Sequence, residues 1–252
     1  MTPEPMTTVF GPGPAREPHV VVRERWAECV NLARDHPGKL KEFLNRQLNE
    51  EVNVLENAAR NLADFPEADW EIRLWMARQC ADEARHALTY ERLLRARGGA
   101  YGSFPVLNFQ FRVLGTIPSL IGRLAVQNRT FEADGLDAAE FSAAEAREAG
   151  DHDLADVFEA QAADEVLHVR FANDWIKKTV AGTPRAVLEI ASALTKGSRA
   201  FEWVFANGGT EGIRYPVAEQ ARLAAGFDAA EVKVSADLAR SRGQGASAGV
   251  RT

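Results

Sequence analysis

Two short segments of this chain repeat a pattern of residue types that commonly bind metal ions. Residues 79–86 read QCADEARH and residues 161–168 read QAADEVLH, so both follow the pattern Q-x-A-D-E-x-x-H. On a helix, a glutamate and a histidine three positions apart lie on one face and can reach the same ion. A single Glu-x-x-His pair is a weak signal, because it arises easily by chance. Two copies that also share the preceding glutamine, alanine and aspartate predict a duplicated metal-binding motif.

Both copies are expected to lie on long helices. Apolar periodicity predicts one helix from about Asp69 to Arg97 and another from about Asp153 to Val180. The inward face of the first helix carries Trp75, Gln79, Glu83, His86 and Tyr90. The inward face of the second helix carries Val157, Gln161, Glu165, His168 and Ala172. Each helix therefore directs a Glu-x-x-His pair towards the core.

Each of these helices follows another helix that carries a glutamate on its apolar face. Glu51 lies in the apolar stripe of a helix predicted over about residues 39–63. Glu132 lies in the stripe of a helix predicted from near residue 118, with a break or kink at Gly135 and a continuation to about residue 148. A carboxylate that faces a core must be paired, protonated or bound to a metal, because burying it bare is very costly.

The spacing groups the four glutamates into two halves. Glu51 precedes Glu83 by 32 residues, and Glu132 precedes Glu165 by 33. One glutamate from each of two helices and a Glu-x-x-His pair from each of two others form the ligand set of di-iron and dimanganese carboxylate bundles. Four carboxylates balance two divalent cations, and a set without thiolates disfavours structural zinc. The predicted metal ligands are Glu51, Glu83, His86, Glu132, Glu165 and His168.

Further side chains near the two motifs are candidates to orient or assist these ligands. Asp82 and Asp164 lie one turn before the two histidines, where a carboxylate can accept the free ring N–H of a metal-bound imidazole. Gln79 and Gln161 either face the site or lie at its boundary. Tyr90 is the one candidate catalytic side chain, as a radical or proton-transfer residue, with core packing as the alternative.

The pattern along the chain predicts an all-α fold, a ferritin-like four-helix bundle with a long crossover and extra N- and C-terminal helices. A short N-terminal helix is expected at about residues 22–34, and further helices at about residues 185–206 and between residues 216 and 240. The predicted organisation is a flexible leader (1–20), one helical domain (21–240) and a disordered tail (241–252). Within that domain the bundle core is expected at about 39–180 and the accessory C-terminal helices at 185–240.

Composition narrows the classes of partner. A hydrophobic fraction of 46% and a charged fraction of 26% are typical of globular proteins. The net charge of −6 disfavours nucleic acids and anionic membranes as partners. The two cysteines, Cys29 and Cys80, provide no disulfide framework and favour a reducing cytoplasm. The expected assembly is a homodimer.

The same residues resemble the ferritin-like di-iron carboxylate superfamily, which includes rubrerythrins, ribonucleotide reductase small subunits and bacterial multicomponent monooxygenases. A closer resemblance is to a largely uncharacterised bacterial ferritin-like family related to tRNA-hydroxylase-type proteins. It covers roughly residues 40–180. The matching stretches are Glu51 through Phe65-Pro66, 82–86, Tyr101-Gly102, 132–137 and 164–169. The resemblance implies the same six metal ligands. The chain departs from that family's pattern at Asp134, where a basic residue is expected, and at Asn49, where a histidine is expected, so a shared substrate is not implied.

Three functions are consistent with these features. The leading hypothesis is a non-haem di-iron oxidase or oxygenase with two Fe ions (Fe2+/Fe3+), O2 as cosubstrate, a small-molecule substrate and an electron donor. Mn/Fe or Mn/Mn loading fits the same ligands. The alternatives are an iron-handling or peroxide-scavenging protein and a metal-free helical scaffold.

Overall fold

The computed structural model describes residues 9–33, 35–206 and 215–237, and over these residues the chain is all-α apart from two very short strands. The helices are α1 (Lys39–Asp64), α2 (Trp70–Ala96), α3 (Phe109–Leu114), α4 (Leu120–Val126), α5 (Ala133–Glu148), α6 (His152–Gly182), α7 (Ala186–Phe205) and α8 (Glu219–Ala224). Residues 229–237 are also helical. Within the described residues, every helix is too short or too polar to cross a membrane. The prediction of an all-α fold is confirmed.

The chain divides into two compact units. Unit 1 comprises Met1–Arg123 and Leu188–Gly208, and unit 2 comprises Leu124–Val187 and Gly209–Thr252. Unit 1 is built on the pair α1 and α2, whose facing sides bury Leu44, Met76 and Leu94 completely. The ends of both helices lie within one residue of the predicted positions, because Pro37-Gly38 and Pro66 interrupt the periodic pattern there.

The predicted N-terminal helix at residues 22–34 is wrong. Val22–Arg23 forms strand β1, which pairs in parallel with strand β2 (Val106–Leu107). A single 3-10 turn follows at Trp26–Glu28. The Trp26 ring is buried and lies 5.7 Å from the ring of Phe205. Long-range pairing and aromatic packing therefore outweigh a weak local helix propensity.

Residues 9–20, which the sequence assigns to a leader, make specific contacts in unit 1. Phe10 and Val20 are buried. Arg16 forms an ion pair of 2.7 Å with Glu56 on α1, and the Gly11 amide donates to a backbone carbonyl at the end of α3. Residues 1–8 and the predicted tail at 241–252 lie outside the described residues.

Buried asparagines of α1 hold the connection that follows α2. Asn45 donates to the carbonyl of Phe104 at 3.0 Å. Asn49 and Asn53 both donate to the carbonyl of Leu107, at 2.8 and 3.1 Å. These amides replace water as partners for buried backbone groups, which would otherwise be left unsatisfied. Asn49, where the resembled family has histidine, is thus part of a structural network.

Unit 2 is built on α5, α6 and a C-terminal segment, of which residues 215–237 are described. The predicted break at Gly135 is wrong, because α5 continues through it. The irregularity lies earlier, where Gln127–Glu132 forms a π-helical segment between α4 and α5. A glycine inside a helix costs only about 1 kcal/mol, which packing readily offsets. The buried core of this unit includes Leu136, Val169 and Phe227.

Candidate metal centre

In unit 1, three of the predicted ligands converge in the core. Glu51 comes from α1, and Glu83 and His86 come from α2. Nδ1 of His86 lies 3.0 Å from Oε2 of Glu83 and 3.3 Å from Oε2 of Glu51. All three residues are buried, and each offers a donor atom within 4.8 Å of the others. The i, i+3 spacing on α2 and the inward stripe on α1 together place two carboxylates and one imidazole around one point.

The charges of this cluster hold a proton on its histidine when no metal is bound. Burial of His86 disfavours the imidazolium, but hydrogen bonds to Glu51 and Glu83 and their negative charges outweigh burial and raise the pKa of His86 to about 11. A metal ion at this point would replace that proton, because the imidazole must be neutral to bind a cation.

In unit 2, the corresponding three residues also converge. Glu132 lies at the end of the π-helical segment, and Glu165 and His168 lie on α6. Their donor atoms lie within 4.8 Å of one another, and all three residues are buried. Nδ1 of His168 lies 3.3 Å from Oε2 of Glu165. In both units the same ring nitrogen, Nδ1, faces the glutamate of its own Glu-x-x-His pair.

The two repeated glutamines make the same contact in both units. The side-chain amide of Gln79 donates to Oε1 of Glu83 at 3.4 Å, and that of Gln161 donates to Oε1 of Glu165 at 3.4 Å. Both glutamines are buried. The structure favours the interpretation in which these glutamines face the site over the one that places them at its boundary. Each glutamine leaves Oε2 of its glutamate directed at the histidine.

Two polar residues of the π-helical segment also bind a predicted ligand, and the sequence pattern alone did not reveal them. Gln127 donates to Oε1 of Glu132 at 3.3 Å, and Asn128 donates to Oε2 at 3.0 Å. Asn128 further donates to the carbonyl of His168 at 3.2 Å. The signal in the sequence was a pair of adjacent amides on an otherwise apolar face. Asn128 and Glu132 are four residues apart, which is an ordinary helical spacing. The contact of Gln127 depends on the π geometry, because residues five apart lie about 140° apart around an α-helix.

The remaining candidates lie close to the two motifs. Asp82 and Asp164 are both half-buried. Asp82 accepts from Arg85 at 2.7 Å and from Arg78 at 3.4 Å on its own helix. The proposed orientation of the histidines by Asp82 and Asp164 stays a prediction. Tyr90 lies one turn beyond His86 and is 1% exposed, which fits core packing and leaves its chemical role a prediction.

The chemistry of the two clusters fits a pair of hard or borderline divalent cations. Each cluster offers carboxylate oxygens and one imidazole nitrogen, which suit iron and manganese. Ionised carboxylates are costly to remove from water, and a bound cation or a protonated imidazole beside them offsets that cost. These six side chains would hold the metals, and four carboxamides (Gln79, Gln127, Asn128 and Gln161) would orient the carboxylates.

Comparison with known proteins gives one family match. The model of the family described as "Protein of unknown function (DUF455)" matches residues 6–233, which is most of the chain. No curated protein and no solved structure matches the chain. The match extends over both buried clusters and over the C-terminal segment of unit 2 as far as residue 233.

Proposed function

We propose that this chain, a member of the family described as "Protein of unknown function (DUF455)", is a non-haem di-iron oxidase or oxygenase. It would use O2 to oxidise a small organic substrate, with electrons from an external donor. The observation that carries this proposal is the pair of buried clusters, each with two glutamates and one histidine. Ionised carboxylates are costly to bury, so a metal-free scaffold would have to compensate both clusters by protonation, as His86 does in unit 1.

The donor set supports iron, with manganese as a variant. Carboxylate and imidazole ligands bind Fe(II) and Mn(II), and neither cluster includes a thiolate. Bound iron would supply the O2 chemistry. We include in the proposal that both ions belong to one dimetal centre. This part is supported by the duplicated motif and by the resemblance of the sequence, since the paired 32- and 33-residue spacings supply the complete ligand set.

The residues of the chain have separable tasks in this proposal. Nδ1 of His86 and of His168 would bind the ions, and metal uptake would displace the proton of His86. Gln79 and Gln161 hold Oε1 of their glutamates, which fixes the direction of the other oxygen. The buried environment keeps water away from the site, as a reactive oxidant requires. Tyr90, one turn beyond His86, is the candidate radical or proton-transfer residue, and core packing is the alternative.

Metal analysis tests the ligand assignment. Protein from iron-supplemented cells is expected to contain about two ions per chain. Glu83→Ala and His168→Ala should each lose metal, because each removes a donor from one cluster. The matched controls are Glu91→Ala on α2, where Glu91 pairs with Arg95 at the surface, and His152→Ala at the exposed start of α6. Retention of two ions in both ligand variants would refute the assignment.

Reaction with O2 tests the activity. Stopped-flow mixing of the reduced wild-type protein with O2 should give rapid absorbance changes that Glu83→Ala lacks and Glu91→Ala retains. Parallel-mode electron paramagnetic resonance of the reduced protein should show two coupled Fe(II) ions, and spectra of isolated ions would refute the single centre. A metal-loaded protein that does not react with O2 would refute the oxidase. Equilibrium sedimentation separates the expected homodimer from an iron-storing cage.

A further inference from the structure

The π-helical segment that carries Glu132 is anchored on its other side by one arginine. Arg129 donates to Oδ1 of Asn173 on α6 and to Oε1 of Glu231 in the helical residues 229–237. Its guanidinium also lies 4.8 Å from the centre of the Phe227 ring. Three different elements of unit 2 therefore hold this one side chain.

The C-terminal segment is itself fixed to unit 2 by further polar contacts. Lys177 donates to the carbonyl of Gly226 at 2.7 Å and pairs with Glu231 at 3.2 Å. Asn173 donates to the carbonyl of Ala225 at 2.8 Å. Partial burial would raise the pKa of Glu231, but the amide of Asp228 and the charges of Arg129 and Lys177 outweigh it and lower that pKa. Glu231 is therefore a charged acceptor at neutral pH.

The backbone conformation of the segment decides whether the amide of Gln127 meets Glu132. Asn128 lies four residues before Glu132 and would share its side in an α-helix as well. Gln127 and Glu132 are five residues apart, and only the wider π turn brings them onto one side. The Thr130 hydroxyl, which donates to the carbonyl of Ala125 at 2.9 Å, stabilises the same turn locally. A π turn is less stable than an α turn, so it persists where surrounding contacts hold it.

We propose that Arg129 is a positioning residue for the metal ligand Glu132. By binding Asn173 and Glu231, it holds the π turn and so keeps the amide of Gln127 on the Glu132 carboxylate. The C-terminal segment, through Glu231, is then required for the metal site of unit 2 although it supplies no ligand. This inference rests on one part of the proposed function, namely that the site binds metal.

Co(II) titration of the metal-free full-length protein tests the proposal, with the visible absorption of bound Co(II) as the probe of ligand geometry. Arg129→Ala should weaken one of the two binding phases by about 10–100-fold, the usual effect of losing a contact that orients a ligand, and should change the Co(II) spectrum. Arg129→Lys keeps the charge but reaches one acceptor at a time, so it should restore part of the affinity. The matched control is Arg147→Ala, which removes an exposed arginine that pairs with Glu159 in the same unit.

The outcomes separate this inference from the proposed function. If Arg129→Ala lowers the thermal stability but leaves the Co(II) affinity and spectrum unchanged, Arg129 is merely structural and the inference is overturned. If Arg147→Ala has the same effect as Arg129→Ala, the effect is not specific and the inference also falls. If the wild-type protein binds no Co(II), both proposals fail. If metal binds as described but the iron protein does not react with O2, only the proposed oxidase fails.

Discussion

Replacing Arg222 by alanine is expected to destabilise unit 2 severely, because the arginine pairs with a carboxylate in the core. Nε and Nη2 of Arg222 lie 2.9 and 2.6 Å from the two oxygens of Asp137. Both side chains are only 7% exposed. Asp137 also accepts the backbone amide of Ala218, at 3.0 Å, so one carboxylate joins α5 to two points of the C-terminal segment.

The magnitude follows from the burial of the pair. Removing one partner leaves the other charge in the core, at a cost of about 3–5 kcal/mol. With a urea dependence of about 2–3 kcal/mol per molar, that loss lowers the unfolding midpoint by about 1–2.5 M. Arg222 also pairs with Asp134 at 2.9 Å, but Asp134 is 69% exposed. Asp134→Ala should therefore cost less than about 1 kcal/mol.

Urea unfolding followed by circular dichroism measures the effect, and hydrogen exchange of peptides from unit 2 locates it. The control is Arg147→Ala, whose pair with Glu159 has a similar length of 2.7 Å but side chains that are 45% and 52% exposed. That variant should lose at most about 1 kcal/mol. The double variant Arg222→Leu with Asp137→Leu should be more stable than Arg222→Ala, because it leaves no unpaired charge. Equal losses for Arg222→Ala and Arg147→Ala would refute the argument from burial.

Three further predictions concern the site and its support. Gln79→Leu and Gln161→Leu should each weaken Co(II) binding by about 10–100-fold, because each removes the hydrogen bond that holds Oε1 of the neighbouring glutamate. Unchanged Co(II) affinity in calorimetric titrations would contradict this. Metal binding should release the proton of His86, whose pKa is about 11, so the apparent metal affinity should rise about tenfold per pH unit from pH 6 to 8. An indicator dye in weak buffer measures the released protons. If metal binds without proton release, His86 is not a ligand. Asn49→Ala should lower the free energy of unfolding by about 1–3 kcal/mol, because the buried carbonyl of Leu107 loses one of its hydrogen-bond donors. A melting temperature equal to that of the wild type would refute this.

Local features of the sequence were sufficient to predict the main helices and the faces they bury. The ends of α1, α2, α6 and α7 follow from glycines, prolines and apolar periodicity, which act within a few residues. The same periodicity places Glu83 with His86, and Glu165 with His168, because i, i+3 pairs share a face in any α-helix. The stripe positions of Glu51 and Glu132 predicted correctly that both would be buried.

Other features depend on partners far along the chain. The segment at residues 22–34 lacks the predicted helix because β2 and Phe205 pair with it, more than 80 residues away. The π turn before Glu132 is anchored by Arg129 to Glu231, 102 residues later. Asp134, which departs from the pattern of the resembled family, pairs with Arg222, 88 residues later.

The sequence by itself thus determined which residues could bind metal, and the tertiary structure decided how they are held. Residue types and helical spacing predict the candidate ligands, because these depend on local geometry alone. The amide of Gln127 meets Glu132 only because the π turn departs from the α-helical spacing that a sequence pattern assumes. That departure is stabilised by contacts from α6 and the C-terminal segment, and such long-range contacts leave no periodic signal in the sequence.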